Sequence, residues 1–212
     1  MEKGKFIVVE GISGSGKGTQ IFTIAQYLRE KDIYADVLLT REPTNSQYGL
    51  EARRLRRQHK DAGEKPEDHA QEYLDLFLKD RLDHLYRTVN PSLEQGIHVV
   101  CDRYMFSTIV LQQCDTLPAS QIVHLHEQAG VSIPDLTLIY DLPAEEALRR
   151  IEARNVERGL SETLERLQRG REGYSALPSL CKSYNLVVVY AIGNSNEVFQ
   201  KSKSSIDKLF QK

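Results

Sequence analysis

A glycine-rich segment follows the apolar run 6–10 and leads directly into a stretch with helical spacing; from position 11 it reads Gly-Ile-Ser-Gly-Ser-Gly-Lys-Gly-Thr. Phosphate oxygens need several N–H donors that converge on one point, and glycines let the backbone curl closely enough to supply them. The start of the next helix adds partial positive charge, and Lys17 adds a full one. This order is that of a P-loop, and it predicts that the phosphates of ATP or GTP bind at Gly11, Ser13, Gly14, Ser15, Gly16, Lys17, Gly18 and Thr19.

The residue after Lys17 departs from the strict P-loop pattern. That pattern has Ser or Thr there, whose hydroxyl can reach Mg²⁺, but this chain has Gly18, with Thr19 one place later. We therefore expect Mg²⁺ to be held mainly by phosphate oxygens, water and an acidic residue elsewhere. Asp102 is the candidate acid, and no residue is assigned as a direct metal ligand.

Five short runs rich in β-branched and aliphatic residues predict strands, at 6–10, 36–40, 98–102, 136–142 and 186–190. Each run is nearly continuous in its apolar character, which favours strands covered on both faces, as in a parallel sheet between helices. Stretches with helical spacing lie between them, including 20–31 and 143–154. The alternation predicts an α/β fold of the P-loop NTPase class, with an open, doubly wound five-stranded parallel sheet flanked by helices.

Composition narrows the class of protein further. With 212 residues and 40% apolar content, the chain can form one domain, 1–212. The formal net charge is -2, whereas a nucleic-acid-binding protein usually carries an excess of basic residues. The cysteines, three in number, suit thiols in a reducing compartment, and no apolar stretch approaches the roughly 20 residues that a membrane span needs. We expect a cytoplasmic protein whose partners include neither nucleic acid nor membrane.

Charged side chains end two further apolar runs. Asp102 and Arg103 follow one run, and Arg41 follows another. Because the carboxyl ends of parallel strands meet at one edge of the sheet, these groups and the P-loop should share a crevice. Arg103 can bind an acceptor phosphate through two hydrogen bonds, and Asp102 can order Mg²⁺ or its waters, with a strand-end salt bridge as the structural alternative. Two arginines and Lys17 in one cleft indicate that two phosphate-bearing ligands meet there.

Four arginines lie close together in the least regular part of the chain, 44–68; they are Arg53, Arg54, Arg56 and Arg57. We interpret them first as a solvated helix face. The alternative is a basic rim on a cleft that binds an anionic ligand.

The chain resembles the thymidylate kinase family of nucleoside monophosphate kinases over nearly its whole length. The segments that carry the resemblance occur in the family's order: the P-loop preceded by Glu10, Thr-Arg-Glu-Pro at 40–43, Leu-Phe-Leu-Lys-Asp-Arg at 76–81, Asp-Arg-Tyr at 102–104, and Pro-Asp-Leu-Thr-Leu-Ile-Tyr-Asp-Leu-Pro at 134–143. The resemblance implies transfer of the γ-phosphate of ATP to dTMP, giving dTDP, with Mg²⁺ as cofactor and a homodimer as the assembly.

The resemblance also implies an acceptor site. In the family, the aromatic residue at Phe77 stacks on the acceptor base and the arginine at Arg81 hydrogen-bonds the base edge; they are four residues apart and so neighbours on one helix face. Without the family, Phe77 reads as a core residue. A separate stripe, Leu74, Leu78, Leu82 and Leu85, is expected to pack in the core. The implied acceptor-binding residues are Arg41, Phe77, Arg81, Arg103, Thr108 and Leu111.

A mobile lid is implied at about 154–168. Some members place a catalytic arginine in the P-loop, where this chain has Gly14, and others carry it on the lid. We therefore expect the lid to supply the charge, from Arg158 first and Arg154 second, with a solvated helix charge as the alternative for either. The expected catalytic residues are Lys17, Asp102, Arg103 and Arg158.

Several positions depart from the family pattern. Ser13 stands in place of an acidic residue that contacts the acceptor 3'-hydroxyl, and Leu111 in place of an aromatic ring that packs against the deoxyribose. Thr44 and Asn45 replace a glycine pair, Leu164 replaces a lid residue that is commonly Phe or Ile, and Thr163 replaces a second lid arginine. The sugar end of the acceptor site has therefore drifted more than the phosphate end.

Two alternative functions stay open at this point. The first is a nucleoside monophosphate kinase with another or broader acceptor, such as dUMP or ribonucleotides, which the residues at 13 and 111 permit. The second is a catalytically inactive regulatory protein that kept the fold and binds nucleotide.

Overall fold

The five predicted strands form one parallel sheet in the computed structural model, which describes residues 2–154 and 162–211. They are β1 (Phe6–Glu10), β2 (Val37–Arg41), β3 (His98–Asp102), β4 (Leu136–Asp141) and β5 (Leu186–Tyr190), in the spatial order β2-β3-β1-β4-β5. The predicted α/β fold class is confirmed. Because β2 and β3 lie on one side of β1 and β4 and β5 on the other, the carboxyl end of β1 is the switch point where such sheets bind ligands.

Helices connect and flank the strands. They are α1 (Lys17–Lys31), α2 (Gln47–Asp61), α3 (Ala70–His84), α4 (Asn90–Glu94), α5 (Met105–Gln112), α6 (Ala119–Gln128), α7 (Ala144–Glu152), α8 (Leu164–Leu180) and α9 (Ser195–Lys208). A 3₁₀ turn, Pro66–His69, precedes α3, and a π-helical turn, Leu85–Val89, follows it. Within residues 2–154 and 162–211, no helix is both long enough and apolar enough to cross a bilayer.

The two edge strands correct one expectation. All residues of β1 are buried, as expected for a strand covered on both faces. The edge strand β5 leaves the side chains of Val188 and Tyr190 about half exposed, and most of β2 is only partly buried. An apolar run therefore marked each strand correctly but did not distinguish a central strand from an edge.

Amphipathic spacing correctly identified the buried faces of α1 and α7. In α1 the stripe that includes Ile21 and Ile24 is buried, and in α7 Ala147 and Ile151 are buried, with Pro143 as the residue that precedes the first turn. The leucine stripe of α3 is confirmed except at one position. Leu82 is 36% exposed, because its position eight residues after Leu74 rotates it away from the buried face.

The α2–α3 hairpin forms one wall of the crevice beside the switch point, and Asp80 of α3 bonds to the loop that follows β2. The Asp80 carboxylate accepts hydrogen bonds from the N–H of Thr44, the hydroxyl of Thr44 and the hydroxyl of Ser46, over 2.5–2.8 Å. Ser46 in turn caps α2, since its hydroxyl accepts from the N–H of Gly49. The approach is close: a Cβ on Gly49 would lie 2.3 Å from the Thr44 carbonyl oxygen.

Candidate active site

Glycines give the P-loop its shape at the end of β1. Gly14 and Gly16 have φ of 82° and 93°, a left-handed conformation that other residues rarely adopt. A Cβ on Gly14 would lie 2.5 Å from the carbonyl oxygen of Ala147 in α7. Gly18 is different, because a Cβ there meets nothing within 4 Å. The loop backbone thus requires glycine at 14, whereas packing would accept a serine at 18.

Lys17 lies inside the loop, with only 6% of its surface exposed. Its Nζ donates to the carbonyl oxygen of Ile12 at 2.9 Å. Burial, followed by the positive charge of Arg103, lowers the pKa of Lys17 to about 7, although Asp102 and Glu10 act in the opposite direction. A nearby anion such as a phosphate group would stabilise the charged form of the ammonium in this environment.

Glu10 organises the turn after β3, a role that sequence reasoning did not assign to it. Its fully buried carboxylate accepts hydrogen bonds from the N–H groups of Tyr104 and Ser107, at 2.8 and 3.0 Å, and from the hydroxyls of Ser107 and Tyr174. Burial raises the pKa of Glu10 above its usual range. An acidic residue at the end of a continuous apolar strand was the signal that could have identified it.

Arg103 and Asp102 occupy that turn. Arg103 has a φ of 68°, and its Nη1 donates to Ser107 at 3.0 Å and to the Tyr174 hydroxyl at 3.2 Å, the two groups that also bind Glu10. A non-glycine residue held in this conformation by buried partners is typical of functional sites. Oδ1 of Asp102 is buried and has no hydrogen-bond partner among the described residues.

A cavity of about 910 Å³ lies between this turn and the α2–α3 hairpin. It brings together the P-loop residue Ser13, both strand-end arginines and the α3 pair predicted for an acceptor base. The sequence-predicted residues that line it are Ser13, Arg41, Phe77, Arg81, Asp102, Arg103, Thr108 and Leu111. Groups from four separate parts of the chain therefore face one space of a size that suits a nucleotide.

Arg81 is held rigidly at the base of this cavity. Its guanidinium donates to Glu42 at 2.8 Å, to Nε2 of His126 at 2.5 Å and to the Thr108 hydroxyl at 3.3 Å. It also lies 4.9 Å from the centroid of the Tyr104 ring. Since both the Arg81 and Glu42 side chains are at least 95% buried, the ion pair is shielded from solvent and its orientation is fixed.

His126 is neutral in this arrangement, which makes the site sensitive to acid. Nε2 accepts from Arg81 while Nδ1 donates to the Ile122 carbonyl at 2.7 Å. Burial, then the charge of Arg81, lowers the pKa of His126 to about 3 from 6.5. The unfolded chain binds the extra proton between these values, so stability should fall as pH drops below about 6.5, by up to about 1.4 kcal/mol per pH unit for one group.

Urea unfolding measured at several pH values in this window tests the prediction. His126→Gln should flatten the dependence on pH. His124→Gln, two residues earlier and exposed on α6, is the matched control and should follow the parent protein. Equal slopes for the parent and His126→Gln would show that His126 does not cause the acid sensitivity.

The four arginines of α2 were interpreted either as a solvated helix face or as a basic rim on a cleft, and each interpretation describes some of them. Arg54 pairs with Glu51 at 2.7 Å on the exposed surface, as expected for a solvated face. Arg53, Arg56 and Arg57 line the cavity instead, so the basic rim describes three of the four. Burial, followed by the charge of Arg103, lowers the pKa of Arg56, which indicates a cation-rich space. Residue spacing alone could not show which helix face met the cleft.

Comparison with known proteins identifies the family. The family model described as thymidylate kinase matches residues 9–202. The chain is 37% identical to the thymidylate kinase of Nitratidesulfovibrio vulgaris (strain DSM 19637 / Miyazaki F) over 92% of each protein. It is 35% identical to that of Prochlorococcus marinus (strain NATL2A) over 99% of each, and 34% identical to a probable thymidylate kinase of Pyrococcus abyssi (strain GE5 / Orsay) over 87% of this chain and 88% of the relative. The chain belongs to the thymidylate kinase family.

The structure shows what surrounds the residues at which the chain departs from the family pattern. Gly14 cannot carry a side chain without moving α7, so the loop of this member excludes an arginine there. The hydroxyl of Thr44, absent from a family glycine, donates to Asp80 at 2.5 Å, and the Asn45 side chain accepts from Arg53 at 2.8 Å. These substitutions stabilise the loop after β2. Ser13 and Leu111, the two residues expected near the acceptor sugar, both line the cavity, where they offer a hydroxyl and an aliphatic chain.

The segment expected to form a lid, 154–168, is described only in part. Arg158, the first candidate for the lid charge, lies outside the described residues. Arg154 is described and exposed, and its charge is one of those that lower the pKa of Lys17, after burial and Arg103. Thr163, which replaces a family arginine, caps α8 by accepting from the N–H of Arg166 at 3.4 Å. Leu164, at the variable lid position, is 38% exposed.

Proposed function

We propose that this protein transfers the γ-phosphate of ATP to dTMP, giving dTDP. The observation that carries the proposal is the single cavity in which Ser13 of the P-loop faces Arg41, Arg103, Phe77 and Arg81. A donor bound at the loop and an acceptor bound in the cavity would meet at their phosphates. Family membership, and the thymidylate kinase names of the relatives, agree with this acceptor.

Orientation and charge neutralisation carry the reaction in this proposal. The P-loop N–H groups and Lys17 bind the ATP phosphates, while Arg41 and Arg103 hold the acceptor phosphate in line with the terminal phosphorus. An oxygen of the acceptor phosphate is already anionic near neutral pH, so the chemistry needs no general base. Glu10 supports the reaction indirectly, because it fixes the turn that carries Arg103.

Phe77 and Arg81 recognise the acceptor base. Phe77 is 9% exposed, borders the cavity and stacks on Tyr73 with ring centroids 6.3 Å apart, so a rigid aromatic pair lies beside the cleft. Arg81 reaches the base edge from a guanidinium whose position is already set by Glu42 and His126. Because both groups are held in place before the ligand arrives, little ordering accompanies binding.

Mg²⁺ fits the residues present, with Asp102 as its anchor. The unpartnered, buried Oδ1 of Asp102 borders the cavity, and a hard cation or its water shell would satisfy that oxygen. Gly18 offers no hydroxyl to the ion. Asp102 would therefore hold Mg²⁺ or its waters together with phosphate oxygens, without a ligand from the side chain of residue 18. When bound, Mg²⁺ neutralises charge on the transferred phosphate.

The lid completes the site. Arg158 closes over the transferring group with Arg154 as the second candidate, and closure of 154–168 excludes water so that ATP is not hydrolysed. We also propose that 1–212 forms one kinase domain and works in the cytoplasm, as its composition led us to expect, and as a homodimer, as the family resemblance implies. Its partners are then ATP and a nucleoside monophosphate, with neither nucleic acid nor membrane involved.

Steady-state assays of the purified protein with ATP and dTMP, dUMP, UMP, CMP, AMP or GMP test the acceptor. We expect the highest kcat/KM with dTMP. The contrast of dUMP with UMP reports whether the site, with Leu111 in place of an aromatic ring, discriminates against a 2'-hydroxyl. A clear preference for AMP would refute the acceptor, and ATP binding without phosphotransferase activity would favour the regulatory alternative.

A further inference from the structure

A cluster of imidazoles and carboxylates lies at the closed end of the α2–α3 hairpin, away from the residues assigned above. His59 comes from the last turn of α2, Glu64 from the connecting loop, His69 from the end of the 3₁₀ turn and Glu72 from the first turn of α3. The two imidazole rings stack with centroids 3.6 Å apart. Four potential metal ligands from both arms of the hairpin therefore share one place.

Three of these residues can offer one ligand atom each to a common ion. The candidate atoms of His59, His69 and Glu72 all lie within 4.8 Å of one another. Nδ1 of His69 lies 3.7 Å from Oε2 of Glu72. Ligand atoms about a tetrahedral ion with 2.0–2.2 Å bonds lie roughly 3.3–3.6 Å apart, so contraction by at most about 1.5 Å would form the site.

Each imidazole also has an outer partner on its other nitrogen. Nδ1 of His59 lies 2.7 Å from the hydroxyl of Tyr73, and Nε2 of His69 lies 2.7 Å from Oε2 of Glu64. A metal-binding histidine ordinarily donates its second N–H to such an oxygen, which fixes the tautomer and the ring orientation. Nε2 of His59 and Nδ1 of His69 are therefore the nitrogens available to an ion, and Oε2 of Glu64 lies 3.9 Å from Nε2 of His59.

We propose that the hairpin binds one Zn²⁺ through His59, His69 and Glu72, with a water as the fourth ligand. Two imidazoles and one carboxylate form a ligand set typical of Zn²⁺ and unsuited to Mg²⁺, which prefers oxygen ligands. The stacked rings must turn so that both nitrogens point at the ion. The loop position of Glu64 and the partial exposure of His69 permit this turn, because the two side chains are 45% and 25% exposed.

Bound Zn²⁺ would cross-link α2 and α3 at the end where the connecting loop joins them. These helices carry the cleft arginines and the pair Phe77 and Arg81, so the cross-link would stiffen one wall of the cavity. Tyr73 links the two regions, since its hydroxyl contacts His59 while its ring stacks on Phe77. The Zn²⁺ site is nevertheless independent of the proposed reaction, because its ligands are not assigned to substrate.

Co²⁺ titration of the full-length protein without nucleotide tests the proposal. Omitting nucleotide keeps any phosphate-dependent Mg²⁺ site from forming. We expect visible ligand-field bands of four-coordinate Co²⁺ at one ion per chain, displaced by Zn²⁺ but not by excess Mg²⁺. His69→Gln should lower Co²⁺ affinity by at least tenfold, and Tyr73→Phe, which keeps the ring and removes the outer-shell oxygen, by roughly tenfold.

His124→Gln is the matched control, since it removes an exposed imidazole outside the cluster and should leave Co²⁺ affinity unchanged. Circular dichroism and thermal unfolding establish that each variant is folded. Glu72→Gln changes an exposed side chain and serves if His69→Gln does not fold. Equal Co²⁺ affinity in the parent and in the folded ligand variant, or displacement of Co²⁺ by Mg²⁺, would overturn the site.

Discussion

Lys17→Met should lower kcat/KM for phosphoryl transfer by about 10³-fold or more, the largest loss of activity expected from one substitution in this chain. The ammonium is nearly buried in the P-loop and has the Ile12 carbonyl as its hydrogen-bond partner. Charge at such a site is worth far more than at the surface, because little solvent competes with the phosphate. Methionine is one atom shorter but keeps an unbranched apolar chain, and it removes the charge and its hydrogen-bond donors. Initial-rate assays with dTMP and ATP measure the effect.

Lys182→Met is the matched control, because Lys182 is exposed after α8 and should tolerate the change. Isothermal titration with ATP separates binding from chemistry in the Lys17 variant. A variant that keeps activity within tenfold of the parent would contradict the role of Lys17. A parent that binds ATP, loses binding with Lys17→Met and shows no phosphotransfer in either form would instead identify a nucleotide-binding regulator.

The sequence was sufficient to predict the sheet because its signal is local. Apolar runs located β1, β3 and β5 to the residue, and β2 to within one position. A parallel sheet places the carboxyl ends of all its strands at one edge. Asp102, Arg103 and Arg41 could therefore be assigned to one crevice without knowledge of the packing. What the runs could not give was strand order, and therefore which strands are exposed edges.

The residues that hold the candidate site in place could not be predicted from local sequence patterns. Arg81 was identified through the family, but its partners Glu42 and His126 lie 39 and 45 residues away and approach only in the folded sheet. Glu10 likewise meets Tyr174 across 164 residues. Long-range contacts leave no periodic signal, since each partner looks like an isolated polar residue within its own segment.

The Glu42 to Arg81 contact gives the largest expected loss of stability. Glu42→Gln should lower the free energy of unfolding by about 3 kcal/mol, because it leaves the Arg81 guanidinium buried without its counter-charge. His84 loses its carboxylate partner as well, at 3.0 Å in the folded protein. For a chain of this length the melting temperature should fall by about 6–12 °C. Urea denaturation at neutral pH and calorimetry measure the two quantities.

Two further variants distinguish an uncompensated charge from loss of packing. Glu51→Gln removes the acid of the exposed pair with Arg54 and should leave unfolding unchanged, because solvent screens that pair. Adding Arg81→Met to Glu42→Gln removes the stranded charge, so the double variant should recover part of the lost stability. It should still bind dTMP poorly, since the base then lacks its guanidinium. A double variant no more stable than Glu42→Gln alone would show that packing of Arg81, rather than its charge, holds this wall of the cleft.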